Sequence, residues 1–368
     1  MTRNKQIKRI GILTGGGDCP GLNAVIRGVT KPALDHGLKV LGILDGFEGL
    51  VTGKAVELYD KDVSGILSQG GTILGSSNKG DPFHWPIDVE GKIKITDKSK
   101  EAISNYNMWD LDALIAIGGD GTMHISKGLM ALGMNVVGVP KTIDNDLDAT
   151  DMTFGHDSAV YVVAEAIDRL RTTASAHHRV MVIEAMGRYA GWIALHGGLA
   201  GGADIILIPE MPFEWDAIYE KVKRRSMMGK KYSIVCVAEG AKPLGGELVV
   251  KKVDAKRTDP IQLGGVAAVI ANNIEINTGL ETRYTILGHL QRGGTPTPYD
   301  RILSTKFGTF AIDLAYKKKF GRMAALIGNE VKSVTIESAI TKQKLVKPTD
   351  QAVETAKAVG VCFGTKKM

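Results

Sequence analysis

The chain has 368 residues, 44% hydrophobic and 23% charged, and its 46 basic and 40 acidic side chains give a formal net charge of +6. That is too long for one core, so two domains are expected; basic blocks no longer than three residues argue against a nucleic-acid surface and fit a mild attraction for anionic small molecules. Three cysteines in no metal-like spacing, and no apolar run near membrane-spanning length, argue against a disulfide framework, a zinc site and a membrane protein.

The N-terminal stretch MTRNKQIKRIGILTGGG carries only a four-residue apolar run before its glycines, which does not fit a secretory signal. A reducing, cytoplasmic location is therefore expected. Strand-length apolar runs then alternate with longer amphipathic stretches: RIGILT (9–14), KVLGILDG (39–46), ALIAIGG (113–119), NVVGVPKT (135–142), VMVIEAMG (180–187), IILIPE (205–210) and SIVCVAEG (233–240). This rhythm predicts β-α-β units whose parallel strands are buried on both faces. Pro20 in a first turn, the spacing of Val25, Ile26 and Val29, and a stop at Gly37 predict the first helix. Another is predicted over 158–172, where Val160, Val163, Ala164, Ile167 and Leu170 share a face, and a domain boundary is placed just before it, near residue 154. The segment 79–98, with two prolines, reads as an irregular loop.

In open parallel sheets ligands sit beyond the carboxyl ends of the strands, and the glycine-rich and acidic motifs fall there. TGGGDCPGLN (14–23) joins a strand to a helix, where backbone N–H groups can hold phosphate oxygens or simply make a turn. It has neither the lysine of a P-loop nor the spacing of the dinucleotide fingerprint. In GGDGT (118–122) bare backbone surrounds Asp120; one carboxylate beside a polyphosphate suits magnesium, and a tight turn with Asp120 capping a helix suits the same letters. PKTIDND (140–146) then places Asp144 and Asp146 two residues apart behind Lys141 and Thr142. One acid there could take a proton from an attacking alcohol while the other holds it or steers a metal, as in phosphoryl transfer. Downstream, HHRVMVIEAMGR (177–188), VAEG (237–240) and TRYTILGHLQRGG (282–294) supply Arg179, Arg188, Arg283, His289 and Arg292, cations enough for an anionic substrate.

In this order and at these spacings, TGGGDCPGLN, GGDGT, PKTIDND, MGRYAGW and LGHLQRGG resemble the 6-phosphofructokinase family, from about residue 8 to about residue 328. GGDGT by itself also looks like the NAD kinase and lipid kinase families. The resemblance implies an α/β fold of two doubly wound, Rossmann-like domains with a cleft between them. The phosphoryl-donor domain would comprise 1–154 plus about 290–318, and the sugar-phosphate domain 155–289 plus part of the C-terminal segment, leaving 329–368 a weakly assigned extension. It further implies transfer of the γ-phosphoryl group of ATP to the 1-hydroxyl of fructose 6-phosphate, with Mg2+, in a homodimer or homotetramer.

Carried over motif by motif, Asp144 is the general base, with Thr142, Asp146 and Arg188 beside it in catalysis, and Asp120 is the magnesium ligand. Gly17, Asn78, Lys79 and Lys141 would line the donor together with Gly119, Asp120, Gly121 and Thr122. Thr142, Ile143 and Asp144 would face the sugar, with Met186, Gly187, Arg188 and Glu239 around its hydroxyls. The run His289, Leu290, Gln291 and Arg292 would meet the 6-phosphate, and Arg179 and Arg283 would reach it from a neighbouring subunit.

The chain departs from the family pattern in three places. GSSNKG (75–80) has Asn78 where many ATP-using members have arginine, with Lys79 as the substitute charge. Lys141 stands where strictly ATP-dependent bacterial members tend to have glycine and pyrophosphate-dependent ones lysine. Gly121 points the other way, because a carboxylate there would fill the space of the α-phosphate and ribose. ATP is thus the expected donor, with pyrophosphate the alternative and a non-catalytic sugar-phosphate sensor a more distant one. Of the effector pocket of regulated members, Arg27 and Arg171 match but Asp60 and Met228 do not, so control by ADP is not expected.

Overall fold

The computed structural model describes residues 6–78, 80–253 and 261–365; Lys79 lies outside them. Among these, 6–155 and 292–343 form one compact unit, and 156–253, 261–291 and 344–365 form another.

In the first unit β1 (Arg9–Thr14) leads into α1 (Leu22–Asp35), β2 (Lys39–Ile43), α2 (Phe47–Thr52) and β3 (Ala55–Leu58). The antiparallel pair β4 (Trp85–Val89) and β5 (Lys92–Thr96) precedes α3 (Ser99–Met108), β6 (Ala113–Gly118), α4 (Asp120–Ala131) and β7 (Val136–Pro140). The second unit opens with α5 (His156–His177) and continues through β8 (Val180–Ala185), α6 (Trp192–Ala200), β9 (Ile205–Leu207), α7 (Trp215–Met227) and β10 (Ser233–Ala238). It adds an antiparallel pair, β11 (Val250–Val253) with β12 (Ile261–Leu263), then α8 (Val266–Thr278) and β13 (Thr282–Ile286). The chain returns to the first unit for α9 (Pro298–Tyr316), β14 (Arg322–Ile327), β15 (Glu330–Thr335) and α10 (Ile336–Ala339), and α11 (Gln351–Ala358) belongs to the second.

The first unit is built on a seven-stranded sheet in the order β15-β14-β7-β6-β1-β2-β3. Its five inner strands run parallel and both edges are antiparallel. Every residue of β6 is buried, as expected where helices cover both faces and no polar alternation survives. Leu13, Leu114 and Ala116 pack with residues of α2, α3, α4 and α10 on one face, and α1 and α9 pack together on the other. The chain leaves β1 for β2 on one side and comes back to β6 on the other side. The carboxyl ends of β1 and β6 therefore flank the topological switch point where open α/β sheets bind ligands.

The second unit has a four-stranded, fully parallel sheet in the order β13-β8-β10-β9. Val180, Val182, Val235 and Val237 join residues of α7 and α8 in one buried cluster, and α5 and α6 cover the opposite face. No helix among the described residues is long and apolar enough to cross a membrane.

All seven predicted strand segments contain a strand. Three local expectations are corrected. First, α1 starts at Leu22 behind Gly21, so Pro20 precedes it and the proline it contains is Pro32. The helix predicted over 158–172 extends from His156 to His177, where Ala174 continues the buried stripe. Within 79–98 lies the β4–β5 ribbon, pairing Trp85 with Thr96 through Val89 with Lys92; a two-stranded ribbon consists only of edges, which tolerate Pro86. The weakly assigned tail is divided between the two units, and Cys362 bridges Ile205 beside the second sheet.

Candidate active site

In the first unit three loops leave the adjacent strands β1, β6 and β7. They are tied together where they leave the sheet: Gly15 N donates to Ile117 O at 2.8 Å and Lys141 N to Gly118 O at 2.9 Å. The buried Thr122 fills the space beneath, and a Cβ on Gly118 would lie 2.1 Å from its Oγ1. Gly121 is different. It is exposed, and a Cβ there would meet nothing within 4 Å. The neighbouring loop at Gly75–Asn78 is held by Thr14 Oγ1 donating to Gly75 O at 2.6 Å and Ser76 Oγ donating to Thr14 O at 3.1 Å, which brings the exposed Asn78 near Gly16.

Asp120 is the first residue of α4, half-buried, and His124 one turn on places Nδ1 3.3 Å from its Oδ2. Asp144 and Asp146 lie in the loop after β7. Between them Asn145 takes a left-handed φ of 51° and is buried. Its Oδ1 accepts from Thr153 N at 3.0 Å, while Thr153 Oγ1 donates to Thr142 O at 2.7 Å and Asp144 N donates to Thr142 Oγ1 at 3.1 Å. The turn is thus clamped by buried polar groups on both sides. Ile143 is fully buried.

Burial raises the Asp144 carboxyl above its ordinary value, opposed by the nearby Arg292 and Lys141 charges. Asp146 is pushed up to about 7 by burial and by the neighbouring Asp144 charge. A carboxylate raised toward operating pH is a better proton acceptor than one held low. Lys141 is 4% exposed, its Nζ donates to Gly17 O, and burial lowers its pKa. Arg292 lies over the same loop, donating through Nη1 to Asp18 O at 3.0 Å, with Gly17 leaving it room.

In the second unit Met186, Gly187 and Arg188 follow β8, Glu239 follows β10, and His289 follows β13. Glu239 N donates to Ala185 O at 2.9 Å and Gly240 N to Gly187 O at 3.1 Å, holding the first two loops together. Gly187 has φ 133°, and a Cβ there would lie 2.8 Å from Ala190 O. The Arg188 guanidinium stacks 5.2 Å from the Tyr189 ring. His289 and Leu290 are exposed, whereas Gln291 is 0% exposed.

Arg179 and Arg283 stand at the opposite end of the sheet, immediately before β8 and second in β13. Both pair with Glu281, at 2.8 and 2.5 Å. A six-residue strand separates Arg179 from Met186, a span of about 20 Å.

Reasoning from sequence missed Thr14, Ser76, Asn145 and Thr153. Their only signal is a small polar residue beside a glycine or acid motif, and their partners lie up to 62 residues away.

The phosphofructokinase family pattern matches residues 9–315. The chain is 51% identical to "ATP-dependent 6-phosphofructokinase 2" of Clostridium perfringens, over 97% of this chain and 98% of that protein. It is 49% identical to "Pyrophosphate--fructose 6-phosphate 1-phosphotransferase" of Amycolatopsis methanolica, over 92% of this chain and 96% of that protein. Among solved structures, phosphofructokinase from Saccharomyces cerevisiae covers 90% of this chain with a TM-score of 0.74 at 31% identity, and this chain spans 45% of that one's length.

Proposed function

The chain belongs to the phosphofructokinase family, and from that membership we propose that it transfers the γ-phosphoryl group of ATP to the 1-hydroxyl of fructose 6-phosphate, giving fructose 1,6-bisphosphate and ADP. The observation that carries this reading is the convergence of the Gly15–Gly17, Gly119–Thr122 and Lys141–Asp146 segments beyond three adjacent parallel strands, with open space at Gly121.

In this reading the N–H groups of the glycine loops and the N-terminus of α4 receive the donor phosphates, beside Asn78 and Thr122. Asp144 takes the proton as the sugar oxygen attacks the γ-phosphorus and the bond to the departing ADP breaks. Lys141 and Arg292 oppose the burial that would neutralise Asp144, and Thr142 and Asp146 complete the loop that aims it. Asp120, half-exposed between two glycines, fits a magnesium ion brought with the nucleotide, whose charge would offset the phosphates. Met186, Gly187, Arg188 and Glu239 would hold the sugar, and His289, Leu290 and Arg292 its phosphate end.

A homodimer or homotetramer accompanies this proposal. Arg179 and Arg283 lie a strand length from Met186 on their own sheet, a placement that supports service to the site of another chain. Pyrophosphate as donor is the second reading, supported by the 49% identity to the relative named for pyrophosphate. An assay of fructose 6-phosphate and magnesium, run once with ATP and once with pyrophosphate, tests both; product from neither donor would overturn the enzymatic reading.

A further inference from the structure

Gln291 ends the short turn Gly288–Gln291 after β13, and none of its side chain reaches solvent. Both ends of its amide are taken up by backbone. The Oε1 accepts from Met186 N at 3.2 Å, and the Nε2 donates to Gly288 O at 3.1 Å. These partners also fix which way the amide points, because an N–H must meet the oxygen and a carbonyl must meet the nitrogen. A buried side chain with both ends engaged is poorly placed to touch a sugar phosphate.

We propose that Gln291 is a positioning residue, fixing the Met186–Arg188 loop for the sugar phosphate from within the protein; this rests on the phosphofructokinase reading above. Met186 is the first residue beyond β8, which lies between β13 and β10. On the β10 side the loop is held by the bonds from Glu239 and Gly240. On the β13 side strand pairing ends at Glu184 opposite Ile286, two residues short of Met186. The Gln291 side chain takes over there, joining the loop that bears Met186, Gly187 and Arg188 to the turn that bears His289. Losing it would orphan one buried donor and one acceptor and free the peptide that leads into Arg188.

Glutamate has nearly the shape of glutamine but can make both bonds only when protonated. Ionised, it still accepts from Met186 N and repels Gly288 O. Gln291→Glu should therefore raise the KM for fructose 6-phosphate roughly tenfold or more at alkaline pH, leave the KM for ATP unchanged, and recover toward wild type as pH falls. Exposed His289 and adjacent Arg292 are present in both proteins, so the wild-type profile over the same pH range is the reference. Gln291→Met, which can make neither bond, should show the raised KM at every pH. Loss of packing alone would lower the active fraction without this substrate-selective, acid-reversible change.

Hydrogen exchange at the Met186 amide, measured without substrates, should be slow in wild type and faster in Gln291→Met, which offers it no acceptor, while the carboxylate of Gln291→Glu keeps that bond. A Gln291→Glu protein with wild-type KM at all pH values, or a folded Gln291→Met protein with an unchanged Met186 exchange rate, overturns the proposal. Should Gln291→Met fail to fold, the acid-rescued Gln291→Glu protein still decides. If wild type turns over no fructose 6-phosphate, the functional reading fails, and Met186 exchange then decides separately whether Gln291 holds the loop.

Discussion

Lys141 donates its ammonium group to the carbonyl oxygen of Gly17, pinning a buried cation from the loop after β7 against the loop after β1. Its charge, with that of Arg292, opposes the desolvation of Asp144. The loop thereby gathers a carboxylate and two cations under one patch of bare backbone, as a polyanionic reactant that must surrender a phosphoryl group requires.

Replacing the proton acceptor tests that arrangement first. Asp144→Asn keeps the shape and the Thr142 contact at its backbone N–H but cannot take the hydroxyl proton. Turnover should fall by roughly 10²–10⁴, the range for general acid–base catalysis, with KM values little changed. Steady-state kinetics giving near-normal turnover would remove Asp144 from the mechanism.

The neighbouring acid predicts a pH effect on stability in the absence of ligands. Its ordinary value is 3.8 and its folded value is raised to about 7, so the folded chain binds this proton more tightly than the unfolded chain does. The contribution is present below the ordinary value and is lost as pH climbs through the folded one. Asp146→Asn holds no such proton, and the melting temperature of the variant minus that of wild type should rise between about pH 4 and about pH 7 and level off above. A flat difference in thermal unfolding across that window would show that Asp146 is not held in a desolvating place.

Arg179 and Arg283 share Glu281 at one end of the second sheet, with Met186 and Glu239 at the other. If the two arginines serve a partner's site, one active site draws on two chains. Asp144→Asn chains and Arg179→Ala chains, each nearly inactive alone, should then recover activity when unfolded together and refolded, because some mixed sites hold Asp144 from one chain and Arg179 from the other. Activity no higher than the average of the two parents would contradict the sharing, as would light scattering showing a fully active monomer.

Much of this architecture was legible because its strands are buried on both faces, so that runs such as ALIAIGG and SIVCVAEG declare themselves without alternation. The motif order placed Asp120, Asp144 and Glu239 at strand ends for the same reason. What stayed hidden depends on distant partners. Glu184, the one acid in VMVIEA, is 2% exposed and accepts from Gly265 N at 3.0 Å and Ala267 N at 2.9 Å at the start of α8, a role that no local pattern encodes. Cys362 exchanges backbone bonds with Asp204 and Ile206, at 3.0 and 2.9 Å, through a single bridge with no periodic run to betray it. Gln291 looks like a polar residue in a ligand motif, and only its burial shows that its amide is spent on backbone.

Donor choice is the prediction that separates the two named relatives. At Gly121 the structure leaves open space where a side chain would start, beside the carboxylate of Asp120. An aspartate there would occupy that space and set a second negative charge against any anion. ATP must extend its α-phosphate and ribose away from the reacting end, whereas pyrophosphate has neither. Lys141 favours neither donor outright, since its amine is already engaged by Gly17 and could sit beside the outer phosphates of either. Gly121→Asp should therefore depress kcat/KM for ATP by roughly 10²-fold or more, given that like charges brought together cost several kcal/mol, while any pyrophosphate-dependent turnover falls less. Lys141→Gly alone should not abolish ATP use. Parallel assays at equal donor concentrations check both variants. Wild type turning over pyrophosphate faster than ATP would reverse the donor assignment and leave the fold and the sugar-phosphate acceptor standing.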